Sequence, residues 1–237
     1  MSDADLIVQR PPRGASQLFL LFHGVGESPL MMRAFGLRLA RAFPDSLIVS
    51  VAAPQRCGRG RQWFSAQDIS DESRILRVGA AMPGFIDGVR RWQKDADVSI
   101  AATALVGFSQ GAIMALEALK AEPDLAGRVI AVGGRFAELP TESFRYATVH
   151  LVHGGADAVI PSAHALQAAE RLMAIGSDVT ADVLPQLGHT MDAALMEIAI
   201  ERLRNHVPQW MWREALRADR GEGGDQRALR AKPGQLH

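Results

Sequence analysis

In the stretch Gly107-Phe108-Ser109-Gln110-Gly111 one serine stands between two glycines, with an apolar run before it and an alanine-rich helical pattern after it. A serine hydroxyl so placed could act as a nucleophile, given an imidazole to take its proton and a carboxylate to orient that imidazole. The pattern is not decisive by itself. With 22 glycines and 13 serines in 237 residues, about 0.11 such matches arise by chance. The alternative is a plain Gly-Ser connection, so the decision rests on whether the chain supplies the other groups.

Seven histidines compete for the base. His189 lies in "VLPQLGHTMD", between a strand-like run and a helical segment, beside a glycine that permits a tight turn. His150 and His153 share one strand at odd spacing, so they point to opposite faces and cannot share a metal. His164 and His206 fall in helical segments, where a half-exposed surface position accounts for them, and His237 is the last residue. His189 is the best candidate. For the acid, Asp157 in "VHGGADAVIP" directly follows a strand; its alternative role is an Asx-turn in a Gly-rich loop. Asp178 and Asp182 flank or occupy the next strand, away from that rim, and Asp192 is placed to cap a helix. Ser109, Asp157 and His189 then run in the order Ser, Asp, His, each after a different strand.

Acyl transfer also needs donors for a developing oxyanion. The segment "LFLLFHGVGES" is a buried strand followed by His23-Gly24-Val25-Gly26, in which the glycines let the backbone bring Val25 N–H close to a reacting carbonyl. Gln110 N–H, at the start of a helix, is the second donor. One such donor is worth roughly 2.7–4 kcal/mol in the transition state. A phosphate-binding loop is the competing reading, and it fails because neither "HGVGES" nor "GFSQGA" carries the Lys-Ser/Thr of a P-loop. His23 is expected to order its loop by hydrogen bonding. No metal or cofactor is called for.

The elements that must position these groups follow from periodicity. Apolar runs at "LIV", "LFLLF", "SLIVSVAAP", "ATALVGF", "RVIAVGG", "ATVHLVHGG" and "SDVTADVLP" read as strands, several of them continuously apolar as in a sheet covered on both faces. Between them, residues 29–42, 71–94, 110–121, 162–175 and 192–207 carry apolar side chains at three- and four-residue spacing. Pro83-Gly84 inside the second predicts a kink or break. Strand and helix in alternation imply an α/β fold, a mainly parallel sheet with right-handed crossovers and helices on both faces. In such sheets active sites form beyond the carboxyl ends of the strands, where the three candidate loops would lie.

The totals bound the rest. The length suits one domain over residues 1–218, and the highly charged, Gly-rich segment 219–237 is expected to be disordered. A formal net charge of zero gives no global field favouring nucleic acid or an anionic membrane. No run approaches the ~20 apolar residues of a membrane span. The start is acidic, unlike a secretory signal, so a soluble cytoplasmic protein is expected. Cys57 is the only cysteine, which excludes an internal disulfide and a multi-Cys zinc site.

The segments "LFHGVGES", "GRQWFS", "GFSQGAIMALEALKAEP", "LVHGGADAVIP" and "LGHTMD" resemble the phospholipase/carboxylesterase family of α/β-hydrolases, and within it the YpfH-type bacterial esterases. The likeness runs from about residue 18 to 214, with the motifs in family order. It implies an α/β-hydrolase fold, Ser109 as nucleophile, Asp157 as acid, His189 as base, and Val25 and Gln110 as oxyanion donors. It further implies that Trp63 and Phe64 help wall the acyl site; as bare residues they serve equally as core or loop anchors. The basic loop "RCGRGRQ", 56–62, departs from the family and either meets an anionic group or is simply solvated.

The connections between strands leave room for one loop and one helix before Ser99, and for only 13 residues between Gly134 and Thr148, so no cap domain fits. An open, shallow cleft with Trp63, Phe64 and Met191 as apolar walls would favour short to medium acyl chains. The expected function is a serine carboxylesterase acting on a small-molecule ester. The alternatives are a thioesterase or acyl-protein deacylase using the same triad, and a non-catalytic binding protein on the same scaffold. The stretch "VPQWMWREAL" either packs a last helix onto the domain or presents an apolar patch to a partner subunit; nothing in the sequence specifies an oligomeric state.

Overall fold

The computed structural model describes residues 4–219. Strands β1 (Leu6–Gln9), β2 (Gln17–Phe22), β3 (Ser46–Val51), β6 (Thr103–Phe108), β7 (Arg128–Val132), β8 (Thr148–Gly154) and β9 (Asp178–Leu184) form one sheet in the order β1-β3-β2-β6-β7-β8-β9. All neighbours are parallel except β1, which runs antiparallel to β3 at the edge. A short hairpin of β4 (Gln55–Cys57) and β5 (Gly60–Gln62) stands apart; it occupies the segment read as a basic loop.

The apolar runs are continuous because each serves two cores. In β2, Leu18, Leu20 and Phe22 join the layer on one face, and Phe19 and Leu21 the layer on the other. The first layer holds α2 (Asp71–Ala96), α3 (Gln110–Ala121) and α4 (Ala163–Ala174), and the second holds α1 (Arg33–Ala42) and α5 (Ala193–Asn205). Helix α3 is buried from Gln110 to Leu119, so its near-uniform apolar composition marks the helix at the centre of the fold. The chain leaves β2 toward β3, crosses back, and then steps outward through β6, β7, β8 and β9. The order therefore reverses between β2 and β6, and a crevice opens at their carboxyl ends.

Three features differ from the periodicity reading. The helix expected at 29–42 divides into a 3₁₀ turn (Pro29–Met32) and α1. Helix α2 does not break at Pro83; it runs unbroken to Ala96, with Asp97 in a left-handed conformation at its end. Pro83 and Gly79, whose carbonyl loses its partner, both face solvent, so the carbonyl is hydrated. Val78, Met82, Phe85, Ile86 and Val89 are buried on the opposite side. At about 1.5–3 kcal/mol for each such side chain, they outweigh the ~3 kcal/mol that an interior proline costs. His206 is the cap residue after α5, not part of the helix.

The last helix, α6 (Gln209–Asp219), ends the described residues; the segment expected to be disordered lies beyond them, apart from Asp219. Trp210 is buried there against Tyr146, while Trp212 stays exposed. Residues 133–147, between β7 and β8, contain no helix or strand, and no cap domain interrupts the sheet. Among the described residues no helix is long and apolar enough to cross a membrane.

A methyl group added at Gly84 on the exposed side of α2 would meet nothing. Gly84→Ala should therefore stabilise the protein by about 0.5–1 kcal/mol, read as a higher urea midpoint at unchanged slope.

Candidate active site

Ser109 leaves β6 at φ 52°, ψ −117°, a conformation that L-residues rarely adopt, and α3 begins at the next residue. The residues two places to either side of Ser109 must be glycines. A side chain at Gly107 would run into the backbone of Ala112, and one at Gly111 into the carbonyls of Phe22 and His23. The turn is held from outside by Ser109 N–H donating to Val132 O at 3.0 Å, which continues the β6–β7 ladder by one rung.

The level ends of the parallel strands bring the three candidate loops together. Asp157 lies just past β8 and His189 just past β9. The two loops are stitched by Gly155 N–H to Leu184 O at 2.7 Å and Ala156 N–H to Leu187 O at 2.9 Å. Gly154 and Gly155 make this possible, since a side chain at either would strike the backbone of 185–188. His189 Nδ1 stands 2.7 Å from Asp157 Oδ2, and His189 Nε2 2.8 Å from Ser109 Oγ. A carboxylate only accepts, so Nδ1 carries the proton, and Nε2 is left to accept from the serine hydroxyl.

Asp157 is buried, with its other oxygen Oδ1 accepting the N–H groups of Val159 and Ile160, each at 2.8 Å. Burial pushes its carboxyl upward. The hydrogen bonds from His189, Ile160 and Val159, with the charge of His189, overcome that and hold it below the ordinary carboxylate range. Of the paired groups, the His189 side chain keeps 15% exposure and that of Asp157 none. The imidazole is fixed by Phe108, whose ring lies 5.0 Å away at 31°, and it passes close over Gly133, where φ is +57° and a Cβ would sit 3.4 Å from the ring.

Val25 is exposed on the loop after β2, and Gly26 N–H donates to Arg61 O at 2.8 Å, tying that loop to the β4–β5 hairpin. His23 orders the loop as expected. Nδ1 lies 2.8 Å from Gly24 O and therefore donates, and Nε2 accepts from Ala53 N–H at 3.2 Å. Burial lowers its pKa, the Gly24 carbonyl opposes this, and the Arg61 charge lowers it further, so the ring is neutral. The Gln110 side chain reaches away from the turn; it accepts from Trp63 N–H at 2.7 Å and donates to Phe64 O at 2.8 Å.

Trp63 and Phe64 are both buried. Trp63 packs edge-on against Phe22 and Phe85 and donates its indole N–H to His23 O, so it braces the turn from within. Met191 is half-buried at the margin of the second core. Of the carboxylates set aside, Asp192 caps α5 through Ala194 N–H, and Asp178 and Asp182 pair with His206 and Arg202. No group of His, Cys, Asp and Glu able to hold a metal occurs among the described residues. Phe108 and Gly133 escaped the sequence reading, and His153 was weighed there only as a rival base and a metal ligand, not as a partner of Asp157. The first was hidden as a variable position of the pentapeptide, and the second follows a strand without a chemical side chain.

This sheet order, with its strand–serine–helix turn, defines an α/β-hydrolase fold. The chain belongs to the phospholipase/carboxylesterase family, whose model matches residues 4–207, and is a carboxylic-ester hydrolase. It is 49% identical to esterase YpfH of Escherichia coli strain K12 over 227 residues, covering 95% of this chain and 97% of that one. Among solved structures it is similar to esterase PE8, at TM-score 0.77 and 27% identity over 86% of this chain and 99% of the other. The Bacillus cereus carboxylesterase shares the fold, at TM-score 0.70 and 18% identity over 83% and 91% of the two chains.

Backbone strain at Ser109 predicts a sign. A left-handed non-glycine residue costs about 1–3 kcal/mol. Ser109→Gly should be more stable than Ser109→Ala by about 1 kcal/mol in urea denaturation, since only glycine relieves the strain.

Proposed function

We propose that the protein hydrolyses carboxylic esters of short to medium acyl chains through Ser109, His189 and Asp157. The observation that carries this reading is the unbroken line of hydrogen bonds from Ser109 Oγ through His189 to Asp157 Oδ2, at 2.8 and 2.7 Å. In the first half-reaction His189 Nε2 takes the hydroxyl proton as Ser109 Oγ bonds to the ester carbonyl carbon. The carbonyl oxygen becomes an oxyanion, held by the N–H groups of Val25 and Gln110. His189 returns the proton to the departing alkoxide as the C–O bond breaks, which leaves an acyl-serine. Water, deprotonated by the same nitrogen, then adds to the acyl carbon; Ser109 leaves and recovers its proton. Asp157 keeps the proton of the neutral imidazole on Nδ1 and stabilises the imidazolium in both halves.

Gln110 has a double part in this reading. Its side chain clamps the backbone of Trp63 and Phe64, which steadies the amide that would face the oxyanion. Trp63 and Phe64 form the wall behind that amide, and Met191 the wall beside His189. The preference for short acyl chains rests on the absence of any helix or strand between β7 and β8 that could cover a long one.

Two measurements test the proposal. Wild-type protein should react with a fluorophosphonate and hydrolyse p-nitrophenyl butyrate, and Ser109→Ala should lose the label and about 10⁴-fold or more of kcat. A variant that keeps either would end the nucleophile assignment. In a series of p-nitrophenyl esters, kcat/KM should stop rising by about ten acyl carbons. A continued climb would overturn the short-chain preference.

A further inference from the structure

A second imidazole touches the carboxylate, and the proposed reaction leaves it unused. His153, the sixth residue of β8, is buried, with 1% exposure. Its Nε2 lies 2.8 Å from Ile160 O and 3.3 Å from Asp157 Oδ2. A carbonyl oxygen only accepts, so the proton of His153 is on Nε2, bonded to Ile160 O and leaning toward Oδ2. That oxygen therefore sits between two imidazole N–H groups, the near one of His189 at 2.7 Å and the longer one of His153. The backbone of Ile160 is used on both sides of its Cα: its N–H holds Oδ1 of Asp157, and its C=O is held by His153. The His153 ring thus closes the loop 154–160 around the carboxylate, so that Oδ2 faces His189.

We propose that His153 is a positioning residue for the ester hydrolysis: it fixes the Asp157 loop and shares the carboxylate charge that orients and supports His189. The inference rests on the Ser109–His189–Asp157 reading. The charged and titratable groups around His153 are few. Asp157 and, through it, His189 face it from the loops after β8 and β9. From α4 comes His164, which feels the His153 charge weakly; burial and Arg135 are the larger causes of its lowered pKa. Arg135 lies 3.3 Å from His164 Nε2 and also 3.3 Å from Asp71 on α2, so His164 belongs to a separate surface pair.

The test compares His153→Phe, which keeps an aromatic ring but no donor, with His153→Gln, whose amide nitrogen reaches the same place. His164→Gln controls for the neighbouring titration. With p-nitrophenyl butyrate, His153→Phe should lower kcat about 10–100-fold with KM within about twofold, because a looser Asp157 loop, still bonded to His189, aims the base less sharply at Ser109 but leaves the ester site alone. It should also move the acidic limb of kcat/KM upward by about half a pH unit, since Asp157 then concentrates its charge on His189. His153→Gln should restore kcat to within about threefold and the limb to its original position. Wild-type kcat and limb in His153→Phe would overturn the inference, as would equal losses in both variants with an unmoved limb, the mark of packing alone. If His153→Phe does not fold, ¹⁵N NMR of the wild-type histidines decides. A His153 Nε2–H signal that shifts at the His189 midpoint supports the shared oxygen, and one that ignores it overturns the inference. Activity surviving in Ser109→Ala would instead sink the triad reading itself.

Discussion

The closeness of α3 to β2 and β6 is the constraint on which the site depends. Without a side chain at Gly111, the first turn of α3 rests on the carbonyls of Phe22 and His23; without one at Gly107, the same turn rests on β6. A helix that close leaves the residue between them no ordinary backbone conformation, and Ser109 takes φ 52°. The strain of about 1–3 kcal/mol is small beside the burial of ten consecutive α3 residues. The packing therefore dictates the turn, and the turn presents the hydroxyl. The loop after β2 lies against the same turn, since a Cβ at Gly24 would be 3.4 Å from that of Ser109.

The far end of the sheet is built on an opposite principle. There Arg128 is buried, donating to His150 Nε2 at 3.0 Å and to His206 O at 2.7 Å, and His150 Nδ1 meets Thr180 Oγ1 at 2.8 Å. Burial lowers the Arg128 pKa to about 10 against the attraction of Asp178, which leaves it charged at neutral pH. Burial, followed by the nearby cations, pushes His150 well below its usual value and keeps it neutral. Asp178 accepts from Thr148, His206 and the N–H of Gln209, and so fastens the start of α6 to the edge of the sheet. Polar side chains are consumed there in holding the frame, whereas at the carboxyl end Ser109, His189 and Asp157 are left facing one another.

Much of this was legible in the chain. The apolar runs and helical spacing give the order of the elements because each is long and its period unambiguous. Ser109, Asp157 and His189 stand out because each lies at or in the loop after a strand, and parallel strands place their ends on one side. Helix α2 across Pro83 was not legible, because its continuity comes from side chains buried against other elements rather than from local preference. The β4–β5 hairpin is similar: it is three residues a side, and its Arg61 is held by pairing with the loop at Gly26 and Glu27. The contacts of Phe108, Gly133 and His153 with His189 and Asp157 are likewise tertiary. Trp63 illustrates the limit of motif reasoning, since proximity to the site in sequence pattern did not reveal that its indole is turned into the core.

The backbone stitching between the loops that carry Asp157 and His189 has a practical corollary for protein engineering. Those loops share hydrogen bonds and interlocking glycines, while Ser109 meets the pair through its side-chain contact with His189 and is itself tied by its backbone to Val132 of β7. Asp157 and His189 therefore form one transplantable cassette, from β8 to the end of the loop after β9. Ser109 is a separate part, whose alignment any recipient scaffold would have to supply across the strand β7 that lies between β6 and β8.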